Sequence, residues 1–439
     1  MKRTFILSLA ASLISFAALS QEFDKAKLDA YLDTLANHHK FMGSVAVSQN
    51  KELIYTKSVG FADVEHLIKA NENTKYRIAS ISKTFTTVLI FKAIEEGKLE
   101  INQTIDHFFP TVKNSNRITI KQLLYHRSGI HNFTNNNWTD WNTQPKTEQE
   151  LIKIIIKGGI DFEPDTKTSY SNSNFVLLTF ILEKIYQKPY AEILEEKITK
   201  PMGLKNTYYG KKINTKDNEC NSYRYAEGWV ILTETDMSIL LGAGGIVSSP
   251  VDLILFGEAL FNGKLVSTNS FQQMKTLIEH FGMGLIPIPF YQQIGFGHNG
   301  NIDGFGSVFA YFPDNNISFA LVSNGVNYNF NAVTIAVLSA VNDKPFEIPD
   351  FRTYHVDDED LDKYLGIYSS VQIPIKITIT KTNGRLFGQG TGQPSFPLEA
   401  TEQDKFKFEQ GGIIIEFNPT DKTMVLRQGG GVFNFLRED

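Results

Sequence analysis

The hydrophobic pattern of this 439-residue chain changes once, near Lys344, and this change limits the folds that the chain can adopt. Before it, alternating apolar residues are interspersed with apolar residues that repeat every three to four positions, which indicates strands mixed with helices. After it, short alternating stretches separated by glycines indicate an all-β fold. Two prolines and an acidic run mark the change. We therefore predict a first domain, a linker and a second domain, over 21–345, 346–360 and 361–439.

The first domain combines both kinds of element. Its most regular helix is predicted over 80–96, because Phe85, Val88, Leu89 and Ala93 fall on one helical face. Strands at both ends of a helical middle predict an α+β fold with a helical insertion. The other predicted elements are strands over 41–47, 53–59, 308–312 and 317–323 and helices over 175–186, 250–261 and 331–341.

The second domain is predicted to contain strands only. Ile375, Ile377 and Ile379 alternate with polar residues, and Asn383-Gly384 is a strong hairpin signal. The later apolar residues keep the same alternation and are punctuated by glycines. This pattern predicts a small all-β barrel or sandwich.

The N-terminus has the layout of a cleavable export signal. Lys2 and Arg3 precede an apolar run over 5–18, and Ala18 and Ser20 place small residues before a cleavage point. We predict a signal peptide over 1–20 and a periplasmic or secreted protein. After its removal no segment is long and apolar enough to span a membrane.

Composition excludes several other classes of protein. The chain has one cysteine, Cys220, which rules out a disulfide framework, a zinc finger and an iron–sulfur cluster. Its formal charge is −5 and no basic run occurs, which argues against a nucleic-acid partner. With 42% hydrophobic and 21% charged residues, the chain has the mixture of a globular protein that can enclose an active site.

Ser80 and Lys83 form the first of three stretches that can carry chemistry. They lie three apart at the start of the predicted helix, so both side chains would share one face. A serine hydroxyl needs an adjacent base at neutral pH, and a lysine amine supplies one when burial lowers its pKa. The same spacing occurs at Ser48 and Lys51, where a strand and its turn would separate the two side chains.

Two further stretches contain polar residues of the kinds that catalysis uses. Tyr170 could shuttle a proton, and the amide of Asn172 could bind a substrate carbonyl or hold the lysine. In the glycine-rich stretch over 297–307, His298 could form a hydrogen bond within the site or donate a proton. Each stretch alone is more often structural than functional.

Together the three stretches resemble the motifs of the serine β-lactamase and penicillin-binding-protein superfamily, in the branch that includes class C β-lactamases, DD-peptidases and related esterases. The resemblance runs from about Phe41 to Val341 and extends to further short motifs. These are Gly60-Phe61-Ala62-Asp63, Leu123-Leu124-Tyr125-His126-Arg127-Ser128-Gly129, Pro201-Met202-Gly203-Leu204 and Gly244-Gly245-Ile246-Val247-Ser248-Ser249. It implies a β-lactamase/transpeptidase-like fold, in which helices and a mostly helical subdomain flank an antiparallel sheet.

The resemblance also implies a role for each candidate residue. Ser80 would be the nucleophile, Lys83 its base or proton relay, and Tyr170 a second proton shuttle. The substrate-binding residues would be Asn172, His298 and Asn301, and the backbone N–H groups of Ser80 and Asn301 would form the oxyanion hole. No metal and no cofactor would be required, and the substrate would be a small-molecule or peptide acyl compound. His126 and Ser128 could form a serine–histidine pair, but the resemblance makes their stretch structural.

The chain departs from the pattern of β-lactamases at the third motif. His298 stands where those enzymes usually carry lysine, and no lysine or arginine occurs between Lys275 and Lys344. A substrate carboxylate usually needs a nearby cation, whereas Asp303 would add negative charge. Arg224 could reach in from the helical insertion. We therefore favour an ester or amide, such as a D-amino-acid or peptidoglycan-derived peptide, as substrate. The alternatives are a DD-carboxypeptidase or weak β-lactamase, and a non-catalytic penicillin-recognising sensor.

Overall fold

The computed structural model describes residues 23–135, 138–352 and 354–438, so the predicted signal peptide lies outside the described residues. The α-helices of the described residues are α1 Lys25–Asn37, α2 Ser82–Glu95, α3 Ile120–Leu124, α4 Glu148–Gly158, α5 Asn172–Tyr186, α6 Tyr190–Leu194, α7 Lys200–Met202, α8 Met237–Leu240, α9 Pro250–Phe261, α10 Thr268–Lys275 and α11 Phe330–Val341.

The strands up to α11 are β1 Phe41–Gln49, β2 Glu52–Val59, β3 Phe61–Asp63, β4 Ile68–Lys69, β5 Tyr76–Arg77, β6 Tyr208–Tyr209, β7 Tyr223–Tyr225, β8 Trp229–Ile231, β9 Ile246–Ser248, β10 Ile286–Phe290, β11 Gln293–Ile302, β12 Phe305–Phe312 and β13 Ile317–Val326. The strands after α11 are β14 Gly366–Ser369, β15 Ile377–Thr382, β16 Arg385–Gly390, β17 Phe396–Glu402, β18 Lys405–Phe408, β19 Ile413–Asn418, β20 Thr423–Gln428 and β21 Gly431–Arg437.

An antiparallel sheet in the order β10-β11-β12-β13-β1-β2 forms the centre of the first part of the chain. One face packs on α1 and α11, and the other packs on the helical layer that includes α2, α5 and α9. Because helices cover both faces, β12 is buried at every position. This arrangement confirms the α+β, β-lactamase-like fold class.

The outermost strand of this sheet, β10, carries Pro287 and Pro289 at alternate positions. It pairs with β11 from Ile286 opposite Gly297 to Phe290 opposite Gln293. Proline has no N–H to donate, so these residues fit a strand that has a neighbour on one side only. β10 begins opposite Gly297, so the last five residues of β11 have no strand partner on that side.

The helix predicted over 80–96 differs from the structure in two ways. A short 3₁₀ turn, Ala79–Ile81, precedes α2, so Ser80 lies on the turn rather than in the helix. The helix is also buried on nearly all sides, including Thr86 and Thr87, rather than on one apolar face. The hydroxyls of these two threonines donate hydrogen bonds to buried carbonyl groups. Thr86 Oγ1 lies 2.7 Å from the carbonyl oxygen of Gly242, and Thr87 Oγ1 lies 2.8 Å from that of Lys83.

The last part of the chain, β14 to β21, forms a closed barrel, which decides between the barrel and the sandwich. The Asn383-Gly384 turn joins β15 to β16, with φ of 49° and 70° at its two residues, as this type of hairpin requires. Alternate residues point inward and fill the barrel with a separate core. A 3₁₀ helix, Asp358–Tyr364, extends across residue 360, the predicted end of the linker. The limits of the first domain, the linker and the second domain stay predictions. Among the described residues no helix has the length and apolarity needed to cross a bilayer.

Candidate active site

Ser80 is held at the junction of the sheet and the helical layer. Ala79, just before it, has a positive φ of 47°, an uncommon and strained conformation for a residue other than glycine. Neighbouring contacts fix the turn: the N–H of Ile78 donates to the carbonyl of Ile246 at 3.1 Å, and the hydroxyl of Ser307 donates to the carbonyl of Ile78 at 2.8 Å. The backbone N–H of Ser80 therefore has a fixed position near the beginning of α2.

Lys83 is the amine beside this hydroxyl, and its side chain has no exposed surface. Its Nζ lies 3.1 Å from Ser80 Oγ, 2.8 Å from Asn172 Oδ1 and 2.6 Å from the carbonyl oxygen of Ala243. Burial lowers the pKa of Lys83 well below its ordinary value. A neutral amine has two N–H groups, and the two carbonyl oxygens accept both. Its lone pair is then left to face Ser80 Oγ.

Tyr170 approaches the same hydroxyl from another side. Its O–H donates to Ser80 Oγ at 2.8 Å, and its ring centroid lies 4.8 Å from Lys83 Nζ. Burial raises the pKa of the Tyr170 phenol, so it keeps its proton at neutral pH. The ring of His126 packs against it with centroids 4.5 Å apart, and His126 Nδ1 accepts the N–H of Ser171 at 3.1 Å. His126 thus orients the tyrosine segment, as the structural reading of its stretch predicted.

Asn172 fixes the position of the lysine. Its Oδ1 accepts from Lys83, its Nδ2 donates to Thr134 Oγ1 at 3.0 Å, and its backbone N–H donates to Asn132 Oδ1 at 2.9 Å. Thr134, Asn132 and the carbonyl of Ala243 are functional contacts that the sequence reasoning missed. Only Ala243 had a signal, because it directly precedes the Gly244-Gly245 motif.

The end of β11 that extends beyond β10 forms the opposite wall of the site. Its residue Gly300 lies against the turn so closely that a Cβ there would be 2.9 Å from the backbone nitrogen of Ser80 and 2.4 Å from the carbonyl oxygen of Ile78. Any larger residue would push the strand away from the nucleophile. The next residue, Asn301, lines the cleft together with Ser80.

His298 lies on the same strand and is buried. Its Nδ1 lies 2.6 Å from the carbonyl oxygen of Asn299, so Nδ1 carries the proton and Nε2 is left as an acceptor. Burial lowers the pKa of His298 to about 4. At neutral pH the imidazole is therefore uncharged, and it provides no cation at the position where β-lactamases usually carry lysine.

Asp303 does not act as the free negative charge that the sequence suggested. Its carboxylate accepts from Thr235, from the backbone N–H at 3.0 Å and from the hydroxyl at 2.7 Å, and it lies 3.5 Å from the guanidinium of Arg77. Arg77 is 2% exposed and also pairs with Glu234. Arg77 is three residues before Ser80, and Asp303 is two residues after Asn301. The ion pair therefore links the two segments that carry the expected oxyanion donors.

We expect Asp303→Asn to destabilise the protein by about 3 kcal/mol, because a buried guanidinium loses one of its two carboxylate partners. Turnover should fall as well, since Asn301 loses the anchor of its hairpin. Urea unfolding and the turnover number of the same preparation measure both effects. The control is Asp314→Asn, in the exposed turn between β12 and β13. Equal stability of the two variants would show that the Arg77–Asp303 pair does not hold this region together.

Every candidate residue except the fully buried Lys83 lines one cleft with a volume of about 1340 Å³. A smaller pocket of about 140 Å³ adjoins Ser80, and Trp138 is part of its wall, whereas Trp141 packs on Phe133 at a centroid distance of 6.1 Å. The structure thus brings all six candidate residues together, namely Ser80, Lys83, Tyr170, Asn172, His298 and Asn301. Within the described part of the chain, no three His, Cys, Asp or Glu side chains are arranged to hold a metal ion.

Comparisons with known proteins agree with this geometry. The family model described as Beta-lactamase matches residues 28–341. The putative penicillin-binding protein PbpX of Bacillus subtilis (strain 168) is 29% identical over 327 residues, 73% of this chain and 78% of that protein. The teichoic acid D-alanine hydrolase of Staphylococcus aureus is 31% identical over 228 residues, 52% of this chain and 55% of that protein.

Among solved structures, D-amino acid amidase from Ochrobactrum anthropi SV3, complexed with D-phenylalanine, superposes with a TM-score of 0.65 at 24% identity. The match covers 72% of this chain and 98% of that one, and it shows a shared fold. The family match covers well over half of the chain and includes every candidate residue. This chain therefore belongs to the β-lactamase family and is a serine hydrolase.

Proposed function

We propose that this protein is an exported serine hydrolase that forms an acyl-enzyme on Ser80 and cleaves an ester or amide of a D-amino acid or of a peptidoglycan-derived peptide. The observation that carries the proposal is the set of contacts at one oxygen atom. Ser80 Oγ lies 3.1 Å from the Nζ of the buried Lys83 and 2.8 Å from the O–H of Tyr170. A hydroxyl between an amine with a lowered pKa and a proton-bearing phenol is equipped to attack a carbonyl and to protonate what leaves.

In the proposed reaction, neutral Lys83 takes the proton of Ser80 as Oγ bonds to the substrate carbonyl carbon. The carbonyl oxygen becomes an oxyanion, and the N–H groups of Ser80 and Asn301 stabilise it by about 3 kcal/mol each. When the intermediate collapses, Tyr170 gives its proton to the leaving oxygen or nitrogen and recovers one from Lys83. Water then attacks the acyl group, the proton transfers run in reverse, and the acid product leaves with the Ser80 hydroxyl restored.

The choice of an ester or amide rests on the charge of the site. His298 is neutral, and the side chains around the scissile carbonyl supply no permanent cation to pair with a carboxylate next to the bond that breaks. The relatives named for D-alanine hydrolysis and D-amino acid amide hydrolysis support D-configured substrates of this kind. The second candidate is a DD-carboxypeptidase or weak β-lactamase, which the relative named as a putative penicillin-binding protein favours.

Intact-protein mass spectrometry after incubation with a panel of acyl donors tests the proposal. The panel contains D-alanine methyl ester, D-phenylalanine amide, a fluorescent penicillin and a fluorophosphonate. We expect a covalent fluorophosphonate adduct that peptide mapping places on Ser80, turnover of the ester or amide, and a mass that lacks residues 1–20 when the full chain is produced by a secreting bacterium. Strong penicillin labelling without ester turnover would favour the second candidate. No adduct and no turnover would support a non-catalytic sensor instead.

A further inference from the structure

The wall of the cleft that holds Ser80 includes an arginine that the reaction does not use. Arg224, on β7, lines the same continuous cleft as the nucleophile. The sequence left open whether this side chain reaches the site, and the structure places it in the wall of the same cleft.

Close packing fixes the position of Arg224 relative to the oxyanion hole. At Gly304, on the tip of the β11–β12 hairpin, a Cβ would lie 2.6 Å from the carbonyl oxygen and 2.9 Å from the nitrogen of Tyr223. The strand that carries Arg224 is therefore in direct contact with the hairpin tip. Asn301 lies three residues before that glycine, near the end of the strand that leads into the hairpin tip.

The orientation of β7 turns the arginine away from its neighbours. Tyr223 donates its O–H to Glu65 at 2.7 Å, and the ring of Tyr225 packs edge-to-face on Trp229 with centroids 5.3 Å apart. The side chains of both tyrosines thus have partners that do not line the cleft, although Tyr223 is itself part of the cleft wall. Adjacent residues of a strand point to opposite faces, so Arg224 faces the other way and is exposed.

The charges around the cleft leave Arg224 uncompensated. It is the one lysine or arginine among the described residues that line the cleft, and Asp303 is the one carboxylate there. Asp303 is already paired with Arg77, and its oxygens accept from Thr235. Across 23–135, 138–352 and 354–438, the guanidinium of Arg224 has neither an ion pair nor a hydrogen bond. A cation in a concave wall without a counter-ion is suited to bind an anion from solution.

We infer that Arg224 binds an anionic group of the substrate, a carboxylate or a phosphate, in the part of the cleft beside the tip of the β11–β12 hairpin. This inference rests on the proposed function and specifies its substrate class: a neutral ester or amide bond with a negative charge several bonds away. The site differs from a pocket for a carboxylate beside the scissile bond, since that position faces the uncharged His298. A guanidinium can hold either anion through two parallel hydrogen bonds.

Matched esters that differ only in one remote charge test this inference. For the acyl side we use the methyl esters of N-glutaryl-, N-(4-phosphonobutanoyl)- and N-glutaramoyl-D-alanine, of which the last is the neutral analogue. For the leaving-group side we use the N-acetyl-D-alanine esters of 6-hydroxyhexanoate and of its amide. The wild-type enzyme should prefer the charged ester on one side by about 10- to 100-fold in kcat/KM, chiefly through KM. The ratio of the carboxylate to the phosphonate substrate then distinguishes the two kinds of anion.

The variants determine whether Arg224 is the cause of this preference. Arg224→Gln should abolish the preference for the charged ester while leaving kcat for the neutral esters unchanged. Arg224→Lys should keep part of the preference, because lysine retains the positive charge but cannot form two parallel hydrogen bonds. Arg427→Gln, an exposed arginine of the barrel that pairs with Glu416, is the matched control and should behave as wild type. If Arg224→Gln shows the wild-type ratios on both sides, the inference is wrong. This result differs from failure of the proposed function. If the proposed function were wrong, the wild-type enzyme would not hydrolyse the neutral esters at all.

Discussion

Replacing Ser80 by alanine should abolish turnover, with a loss on the order of 10⁶-fold in kcat. The substitution removes the one oxygen that both Lys83 and Tyr170 contact, so no other group can form the acyl-enzyme. The variant should still bind substrate, because the oxyanion donors belong to the backbone and stay in place. Initial rates with D-alanine methyl ester and the mass of the protein after exposure to a fluorophosphonate measure the effect.

The control for this substitution is Ser370→Ala, in the barrel, where the hydroxyl oxygen accepts only a local N–H, that of Gln372. It should retain full activity. If Ser80→Ala kept substantial turnover, or if the fluorophosphonate adduct stayed on the variant, the nucleophile would be another residue and the proposed mechanism would be wrong.

Replacing Lys83 by methionine should lower kcat about 10³-fold, which is the usual scale for removing a general base. Methionine fits the buried position but cannot take the serine proton. The sign of the pH dependence follows from the lowered pKa: the active form is the neutral amine, so the wild-type rate rises as the pH increases through the pKa of Lys83. The variant should lose this rise. Rates between pH 5 and 9, corrected for uncatalysed hydrolysis, provide the comparison.

Lys153→Met, on the exposed side of α4, is the matched control and should keep the wild-type pH profile. A Lys83→Met variant with the same pH profile as the wild type would assign the base to another group. In that case the raised pKa of Tyr170 makes the phenol an unfavourable replacement, because it would have to lose a proton that it holds strongly at neutral pH.

Local sequence signals predicted much of this structure because they depend on near neighbours. The turn at Asn50 and Lys51, the helix over Pro250–Phe261 and the Asn383-Gly384 hairpin all follow from residues within one element, and each is present in the structure. The Ser80–Lys83 pair could also be identified from the local sequence, because the two residues are only one helical turn apart.

Contacts between distant parts of the chain could not be predicted in this way. The carbonyl that accepts from Lys83 belongs to Ala243, 160 residues away, and a backbone carbonyl has no signature in a sequence. Asp303 was misread for the same reason, because its partner Arg77 lies in another element. The helix α2 was expected to have one buried face, yet its threonines are also buried because they find carbonyl partners inside the fold.

The prolines of β10 have a consequence for how the folded protein behaves at high concentration. An exposed edge strand can template a strand from a second molecule, and repeated pairing of this kind leads to fibrils. Pro287 and Pro289 withhold two N–H donors from that edge. A neighbouring copy therefore cannot complete a ladder there, and this side of the sheet is protected against amyloid-like growth.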